Sequence, residues 1–279
     1  MGEIRVRTWG EFEEKAWAKI EGIGSSAGGR RGFTDRVLFR GQADAGWGLT
    51  TTLQRATGQS EEAVDSYQMQ MHAVRGSVAS VQGQDWDTEG VLPLPGFVVK
   101  GIEFMVYLRQ NGFPSPLLDW TASPYIAAYF AFRDVQRGAK RAEHVAIYTY
   151  EELSEEDERV AMSFRSREAG SVYTIGPCLV TDKKHHLQQC QYTLCVRGEG
   201  DEFYYAAYPD GVGTCDTRRC VVEKYVIPLS EQEEVLRRLQ VMNVTAYSLF
   251  GTEAALMESL AMREVFLGGA LGSERVGAG

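Results

Sequence analysis

GFPSPLLDWTASPYIAAYFAF, residues 112–132, is the stretch around which the chain is organised, and its last two thirds are almost wholly apolar. Ser123 is a favourable helix N-cap, and Pro124 follows at the first helical position, where proline is tolerated. Residues 125–132 are apolar on every side of such a helix. The stretch therefore predicts a buried helix that begins at Pro124.

Three polar residues, Asp119, Thr121 and Ser123, stand just before this helix. Asp119 lies between Leu118 and Trp120, so its carboxylate should lose part of its hydration, which is costly without a hydrogen bond or an ion pair. The N-terminus of a buried helix suits the binding of an anion or the orientation of a cationic partner. The alternative is a helix cap with a structural aspartate, and these residues alone leave both interpretations open.

Length, composition and charge restrict the classes of function. The chain has 279 residues, 44% of them hydrophobic and 24% charged, which is ordinary for a globular protein with a sizeable core. Its net charge of -9 argues against a broad nucleic-acid-binding surface. No apolar run approaches the ~18 residues of a membrane span, and the N-terminus lacks the apolar core of a signal peptide. We therefore expect no membrane association and no nucleic-acid partner.

The cysteines indicate the redox environment. There are five, an odd number, and none forms a C-x-x-C pair. This spacing is typical of reduced thiols rather than of a metal site or a disulfide framework. We therefore expect a cytoplasmic protein that binds no metal.

The pattern of apolar residues and turn signals predicts the main elements. Helices are expected over 8–20, 60–80, 96–111, 230–240 and 252–266, and strands over 36–41, 144–150, 187–196 and 221–228. Residues 81–94 and 198–219 are expected to be loops. The irregular spacing of strands and helices favours an α+β fold over a doubly wound sheet. We expect one domain over residues 1–267, with 268–279 as a disordered tail.

Several blocks of this sequence together resemble the FRG domain family. Phe39-Arg40-Gly41-Gln42, followed by Trp47 and Arg55, is similar to the signature that names the family. The longest similar block runs from Glu103 through residues 110–114 and 117–124 to 128–131, and weaker blocks cover 187–193 and 243–260. The resemblance extends over about residues 8–260. The chain departs from the family pattern at Asn111, Pro116 and Cys190, where histidine, arginine and glycine are expected.

The order of these parts also resembles that of ADP-ribosyltransferase folds. In that arrangement Arg40 ends a first strand, Thr121 and Ser123 precede a buried helix, and Gln188 lies on a late strand. The resemblance implies an ADP-ribosyltransferase-like split mixed or antiparallel sheet with several helices packed around it. It also implies that NAD is the substrate.

Cleavage of the bond between nicotinamide and ribose builds positive charge on the ribose, as glycoside hydrolysis does. A guanidinium such as that of Arg40 can hold the diphosphate bidentately, and Gly41 would leave backbone room beside it. The candidate catalytic residues are Arg40, Thr121, Gln188 and Asp119. The candidate nucleotide-binding residues are Arg40, Gly41, Gln42, Ser123, Glu103 and Tyr192, with Tyr192 as a ring that could stack on a base.

Two functions of different classes remain open. The first is an NAD-consuming transferase or glycohydrolase, acting as a bacterial toxin or a phage-defence effector, with a protein as a further partner or target. The second is a non-catalytic module that binds a nucleotide or a protein. Gln188 carries no charge and cannot act as a general base, so Asp119 or Glu103 would have to supply the negative charge. In the structural alternative, Asp119 pairs with Arg40 across the core.

Overall fold

The computed structural model describes residues 2–26, 37–94, 96–133, 142–152, 170–176, 179–208 and 220–268. The strands are β1 (Gly2–Arg5), β2 (Val37–Gln42), β3 (Glu61–Ala63), β4 (Val91–Leu94), β5 (Phe97–Lys100), β6 (Leu117–Thr121), β7 (His144–Glu152), β8 (Ser171–Ile175), β9 (Cys190–Glu199), β10 (Glu202–Ala206) and β11 (Cys220–Pro228). The helices are α1 (Trp9–Ser26), α2 (Thr52–Thr57), α3 (Val64–Gln82), α4 (Ile102–Gln110), α5 (Pro124–Phe132), α6 (Lys184–Leu187), α7 (Gln232–Val241), α8 (Ala246–Phe250) and α9 (Glu253–Ala261). A 3-10 turn covers Leu229–Glu231, and a π-helical segment covers Met262–Leu267.

Nine of the described strands form one mixed sheet in the order β1-β11-β7-β2-β6-β9-β10-β3, with β8 paired to β9. β1 pairs with β11 in parallel, and the other described pairs are antiparallel. β4 and β5 form a separate two-stranded sheet. The predicted α+β class with a mixed sheet is therefore confirmed.

The sheet nearly separates at its centre. β2 pairs with β7 along its whole length, from Val37 to Gln42, and β6 pairs with β9 along its whole length, from Leu117 to Thr121. Between β2 and β6, however, one register pair is formed, Phe39 with Thr121. The two strands therefore diverge on the side of Gly41 and Asp119, and leave an opening in the middle of the sheet.

Helix α5 is the buried helix expected from the opening stretch. It begins at Pro124, and the Ser123 side chain accepts a hydrogen bond from the backbone N–H of Ile126 at 3.3 Å. The helix joins a hydrophobic core with residues of α1, β7, β11 and α7. α5 packs on β2, the strand at one side of the opening, so its N-terminus lies close to the divergent strands.

Some elements differ from the sequence-based expectations. Residues 81–94 were expected to be a loop, but α3 continues to Gln82 and β4 begins at Val91. The helix expected from residue 96 begins at Ile102, because residues 97–100 form β5, in which alternate side chains are buried. β10 lies inside the expected loop 198–219, the end of which falls outside the described residues. The three elements that were not expected, β4, β5 and β10, are short strands, and the conformation of a short strand depends on its pairing partner.

The remaining expectations about organisation concern the ends of the chain and the membrane. Nearly all of the predicted disordered tail, residues 269–279, lies outside the described part. The single domain over 1–267 stays a prediction. Within the described helices, none is long and apolar enough to cross a membrane.

Candidate functional site

A cavity of about 840 Å³ lies at the opening between β2 and β6. Its walls come from β2 and the loop after it, α2, the last turn of α4, β6, α5, α6, the start of β9, and α8. Pockets for small molecules commonly have volumes of ~300–1,000 Å³. The divergence of the two strands thus creates a space of the size that a nucleotide or a cofactor requires.

Arg40 bridges the opening from the β2 side. Its Nη1 donates a hydrogen bond of 2.7 Å to the backbone carbonyl of Asp119 on β6. A carbonyl in the middle of a sheet would normally accept from the adjacent strand, but the strands have already separated at this position. The guanidinium therefore replaces a strand partner and lies in the cavity wall at the same time.

Arg109, which sequence reasoning missed, is the main partner of the Asp119 carboxylate. It stands in the last turn of α4, and its Nη2 donates a short hydrogen bond to Asp119 Oδ2. Arg40 Nη1 lies 3.9 Å from the same oxygen, so the predicted Arg40–Asp119 ion pair exists but is the longer of the two. The signal that could have revealed Arg109 is a second charged residue in a short, mostly apolar helix that lies inside the longest similar block.

The cavity lining is cationic although the protein as a whole is acidic. Arg40, Arg55 and Arg109 all line it, and Asp119 is the one carboxylate among its described lining residues. Burial lowers the pKa of Arg40, and the nearby guanidinium groups of Arg109 and Arg55 lower it further, while Asp119 opposes this shift. Burial and Arg109 also lower the pKa of Arg55. The three guanidinium groups therefore repel one another, and a bound anion would relieve that repulsion.

A fourth cation, Lys184 of α6, lies on another part of the lining. Its Nζ is 3.6 Å from Asp182 Oδ2 and donates to Asn111 Oδ1 at 3.2 Å. Because Asp182 already balances its charge, Lys184 adds less to the positive field than the three arginines do.

The four residues predicted to be catalytic meet at this cavity, since Arg40, Asp119, Thr121 and Gln188 all line it. The Thr121 hydroxyl donates to the Gln188 carbonyl at 2.7 Å, and Gln188 Nε2 donates to the Leu249 carbonyl at 3.2 Å. Gln188 was expected to lie on a late strand, but the structure places it outside the strands. It follows α6, two residues before β9 begins. Both side chains thus link segments of the cavity wall through backbone groups.

Gly41 and Gln42, predicted to bind the nucleotide, also line the cavity. Gln42 is 7% exposed, and its Nε2 donates to the Gly48 carbonyl at 3.1 Å, which fixes the loop after β2. A Cβ atom added to Gly41 would lie 1.8 Å from the carbonyl oxygen of Ala127 in α5. The glycine is therefore required for the contact between β2 and α5, rather than for room beside a ligand.

Ser123, Glu103 and Tyr192 were also predicted to bind the nucleotide, but the structure does not place them in the cavity lining. Glu103 Oε1 accepts a hydrogen bond from the backbone N–H of Val180 at 3.0 Å. Tyr192 is fully buried, and its hydroxyl accepts from Gln110 Nε2 at 2.7 Å, so its ring is not available to stack on a base. These side chains form hydrogen bonds that hold α4, α5 and β9 in place, and these elements contribute other residues to the cavity lining.

Ser123→Ala is expected to lower the free energy of unfolding by about 1 kcal/mol, because it removes the cap of α5. It should leave ligand affinity unchanged, since Ser123 does not line the cavity. Urea unfolding and ligand titration of the same variant measure both quantities. If the variant had normal stability but lower ligand affinity, the prediction would be wrong and Ser123 would contact the ligand.

Aromatic rings complete the lining. Trp47, in the loop after β2, is 57% exposed, and Trp120, Phe130 and Phe250 also face the cavity. Exposed rings of this kind stack on planar ligand groups. Cys190 lines the cavity too, but burial and the nearby Asp119 charge raise its pKa to about 12, so it is a neutral thiol at pH 7. Within the described residues, no three His, Cys, Asp or Glu side chains are placed to hold a metal ion.

Fold and site together define an α+β protein with an arginine-lined cavity where its central strands diverge. Residues 35–140 match the family model of the FRG domain, the family that the motifs around Arg40 and Asp119 resemble. The matched segment includes β2, β6 and all three arginines of the cavity. No curated protein and no solved structure matches the chain.

Proposed function

We propose that the cavity binds a diphosphate-containing nucleotide of the NAD class. The observation that carries this proposal is the convergence of Arg40, Arg55 and Arg109 on one cavity. They come from three separate elements, β2, α2 and α4. Guanidinium groups bind phosphate oxygens bidentately, and partial burial strengthens such contacts. A diphosphate offers enough oxygens to engage more than one of these arginines.

The aromatic residues support a ligand with planar rings. Trp47 presents an exposed ring beside the arginines, and Phe130 and Phe250 add apolar surface. A nucleotide combines anionic and planar parts in one molecule, whereas a simple anion would use the arginines alone. The lining therefore favours a nucleotide over inorganic phosphate.

Arg55→Gln is expected to weaken the binding of NAD or ADP-ribose by roughly 10- to 100-fold, the usual loss for one charge-assisted hydrogen bond. Arg55 suits this test because its guanidinium contacts the Thr50 carbonyl at 2.5 Å and no carboxylate, among the described contacts. Isothermal titration calorimetry measures the affinity. Arg75→Gln is the matched control, since Arg75 pairs with Asp85 away from the cavity.

The proposal fails if the unmodified protein binds neither NAD nor ADP-ribose at millimolar concentration. It also fails if both arginine variants bind as tightly as the unmodified protein, because the ligand would then lie elsewhere.

A second candidate function is cleavage of NAD, by ADP-ribosyl transfer to a protein or by hydrolysis. The observation that favours it is Asp119, a carboxylate in the lining whose Oδ1 has no hydrogen-bond partner among the described residues. Such an oxygen could stabilise the positive charge that develops on the ribose as the bond to nicotinamide breaks. In hydrolysis, nicotinamide leaves as a neutral molecule with the electron pair of the broken bond, water adds to the ribose carbon, and the proton of that water is released to solvent. Gln188 could orient a hydroxyl but not accept its proton.

A measurement of nicotinamide release from NAD, made on the protein samples used for the titrations, distinguishes binding of the nucleotide from its cleavage. Release that disappears in Arg40→Ala would support an enzyme, and binding without release would support a non-catalytic module. Consumption of NAD would also suit a toxin or phage-defence role in a cytoplasmic setting, because depletion of this cofactor halts metabolism.

A further inference from the structure

We infer that the cavity selects among nucleotides by charge, and binds NADH and ADP-ribose more tightly than NAD. This inference rests on the proposed function and names the ligand class as a diphosphate nucleotide without a cationic ring. NAD and NADH share one skeleton, but NAD carries a positive pyridinium where NADH carries a neutral ring. ADP-ribose retains the diphosphate and lacks the ring altogether.

The first step concerns the negative charge available in the cavity. Asp119 is the one carboxylate of the described lining, and its Oδ2 already contacts both Arg109 and Arg40. Its charge balances one of these two cations. The three arginines of the described lining therefore carry two more positive charges than its one carboxylate balances.

The second step concerns how strongly the field of these charges acts. The side chains of Arg40 and Arg109 are 14% and 16% exposed. Charges that are shielded from water and ions interact more strongly than exposed ones. The guanidinium groups also lie close enough for their mutual repulsion to lower the pKa of Arg40 and Arg55. The ligand thus enters a cavity with a positive potential.

The third step concerns the ligand. The diphosphate of each nucleotide is attracted by this positive potential. The pyridinium ring of NAD is repelled by it, which cancels part of the favourable binding free energy. A cationic ring would need a free carboxylate or a cation–π contact. The charge of Asp119 is already balanced through its Oδ2 by Arg109 and Arg40. A cation–π contact with the ring of Trp47 is then the attraction left to a pyridinium, because indole attracts cations. The comparison of NAD with NADH decides between these two effects.

The experiment is a pair of titrations with NAD and NADH, repeated with ADP-ribose, with nicotinamide release monitored in the same samples so that turnover is not mistaken for weak binding. We expect NADH and ADP-ribose to bind about tenfold more tightly than NAD at low ionic strength, and the ratio to shrink as salt is added. Arg55→Gln should reduce the ratio, whereas Arg75→Gln should leave it unchanged.

Equal affinities, or tighter binding of NAD, would overturn the inference while the proposed nucleotide site would stand. The same ratio in Arg55→Gln as in the unmodified protein would also overturn it, because the selectivity would then come from another group. Absence of binding by all three ligands would overturn both the inference and the proposed function.

Discussion

Gly41→Ala is expected to destabilise the protein by about 3 kcal/mol or more, the upper part of the range for an overpacked core. The added methyl carbon would lie 1.8 Å from the Ala127 carbonyl oxygen and 2.7 Å from the Ala131 backbone nitrogen. Both atoms belong to the backbone of α5, so no side-chain rotation can relieve the contact. The helix would have to move away from β2 and reduce the packing of a wholly buried core.

Urea unfolding of Gly41→Ala and of Gly76→Ala measures this effect with a control of opposite sign. Gly76 lies inside α3, and a Cβ atom there would meet nothing within 4 Å. Alanine at that position should raise stability by up to ~1 kcal/mol, because glycine is a poor helix former. If Gly41→Ala unfolded at the same urea concentration as the unmodified protein, α5 would not pack on β2 as the structure shows.

Local signals in the sequence were sufficient to predict the helix at the centre of the fold. Ser123, Pro124 and the apolar run after them specify the start and the burial of α5 without reference to distant residues. The same holds for β7 and β11, which contain the expected strands 144–150 and 221–228 and extend only one or two residues beyond them. The residues within such elements, and those next to their ends, are sufficient to predict them.

The opening in the sheet could not be predicted in that way. It exists because β2 and β6 share one pair, Phe39 with Thr121, and strand pairing depends on residues far apart in the chain. The role of Arg109 has the same origin, since its carboxylate partner is ten residues away on another element. Glu103 was a candidate for nucleotide binding and for the source of negative charge, but its side chain accepts a hydrogen bond from the backbone N–H of Val180.

The role of Gly41 illustrates a subtler limit. Its presence in the motif suggested space for a ligand, which a glycine can provide. The contact with Ala127 shows that the position is required for helix packing, and this follows only from where α5 lies. A motif therefore identified the correct residue before the structure gave the physical reason for it.

Asp119→Asn is expected to have two opposite effects, lower stability and tighter binding of a dianionic nucleotide. The carboxylate contacts Arg109 and Arg40, which are both largely buried. Its loss leaves their repulsion unbalanced, at a cost of about 1–3 kcal/mol, less than for a fully buried pair because Asp119 is 33% exposed. The same change adds one net positive charge to the cavity, which should strengthen the binding of ADP-ribose and NADH several-fold.

Urea unfolding and calorimetry of Asp119→Asn test both effects, with Asp85→Asn as the control. Asp85 pairs with an arginine as Asp119 does, but it is 65% exposed and lies outside the cavity lining, so neither stability nor affinity should change noticeably. Normal stability with weaker nucleotide binding in Asp119→Asn would contradict the prediction, and would mean that the carboxylate contacts the ligand rather than balancing the arginines.

Nicotinamide release by Asp119→Asn adds the information that binding alone lacks. If Asp119 stabilises the charge that develops on the ribose, its amide variant should bind ADP-ribose more tightly and yet lose ~100-fold or more in the rate of NAD cleavage, the loss typical of a missing electrostatic contact in a transition state. A parallel gain or loss in both quantities would instead make Asp119 a balancing charge alone. The separation of affinity from rate therefore decides whether this cavity is a binding site or an active site.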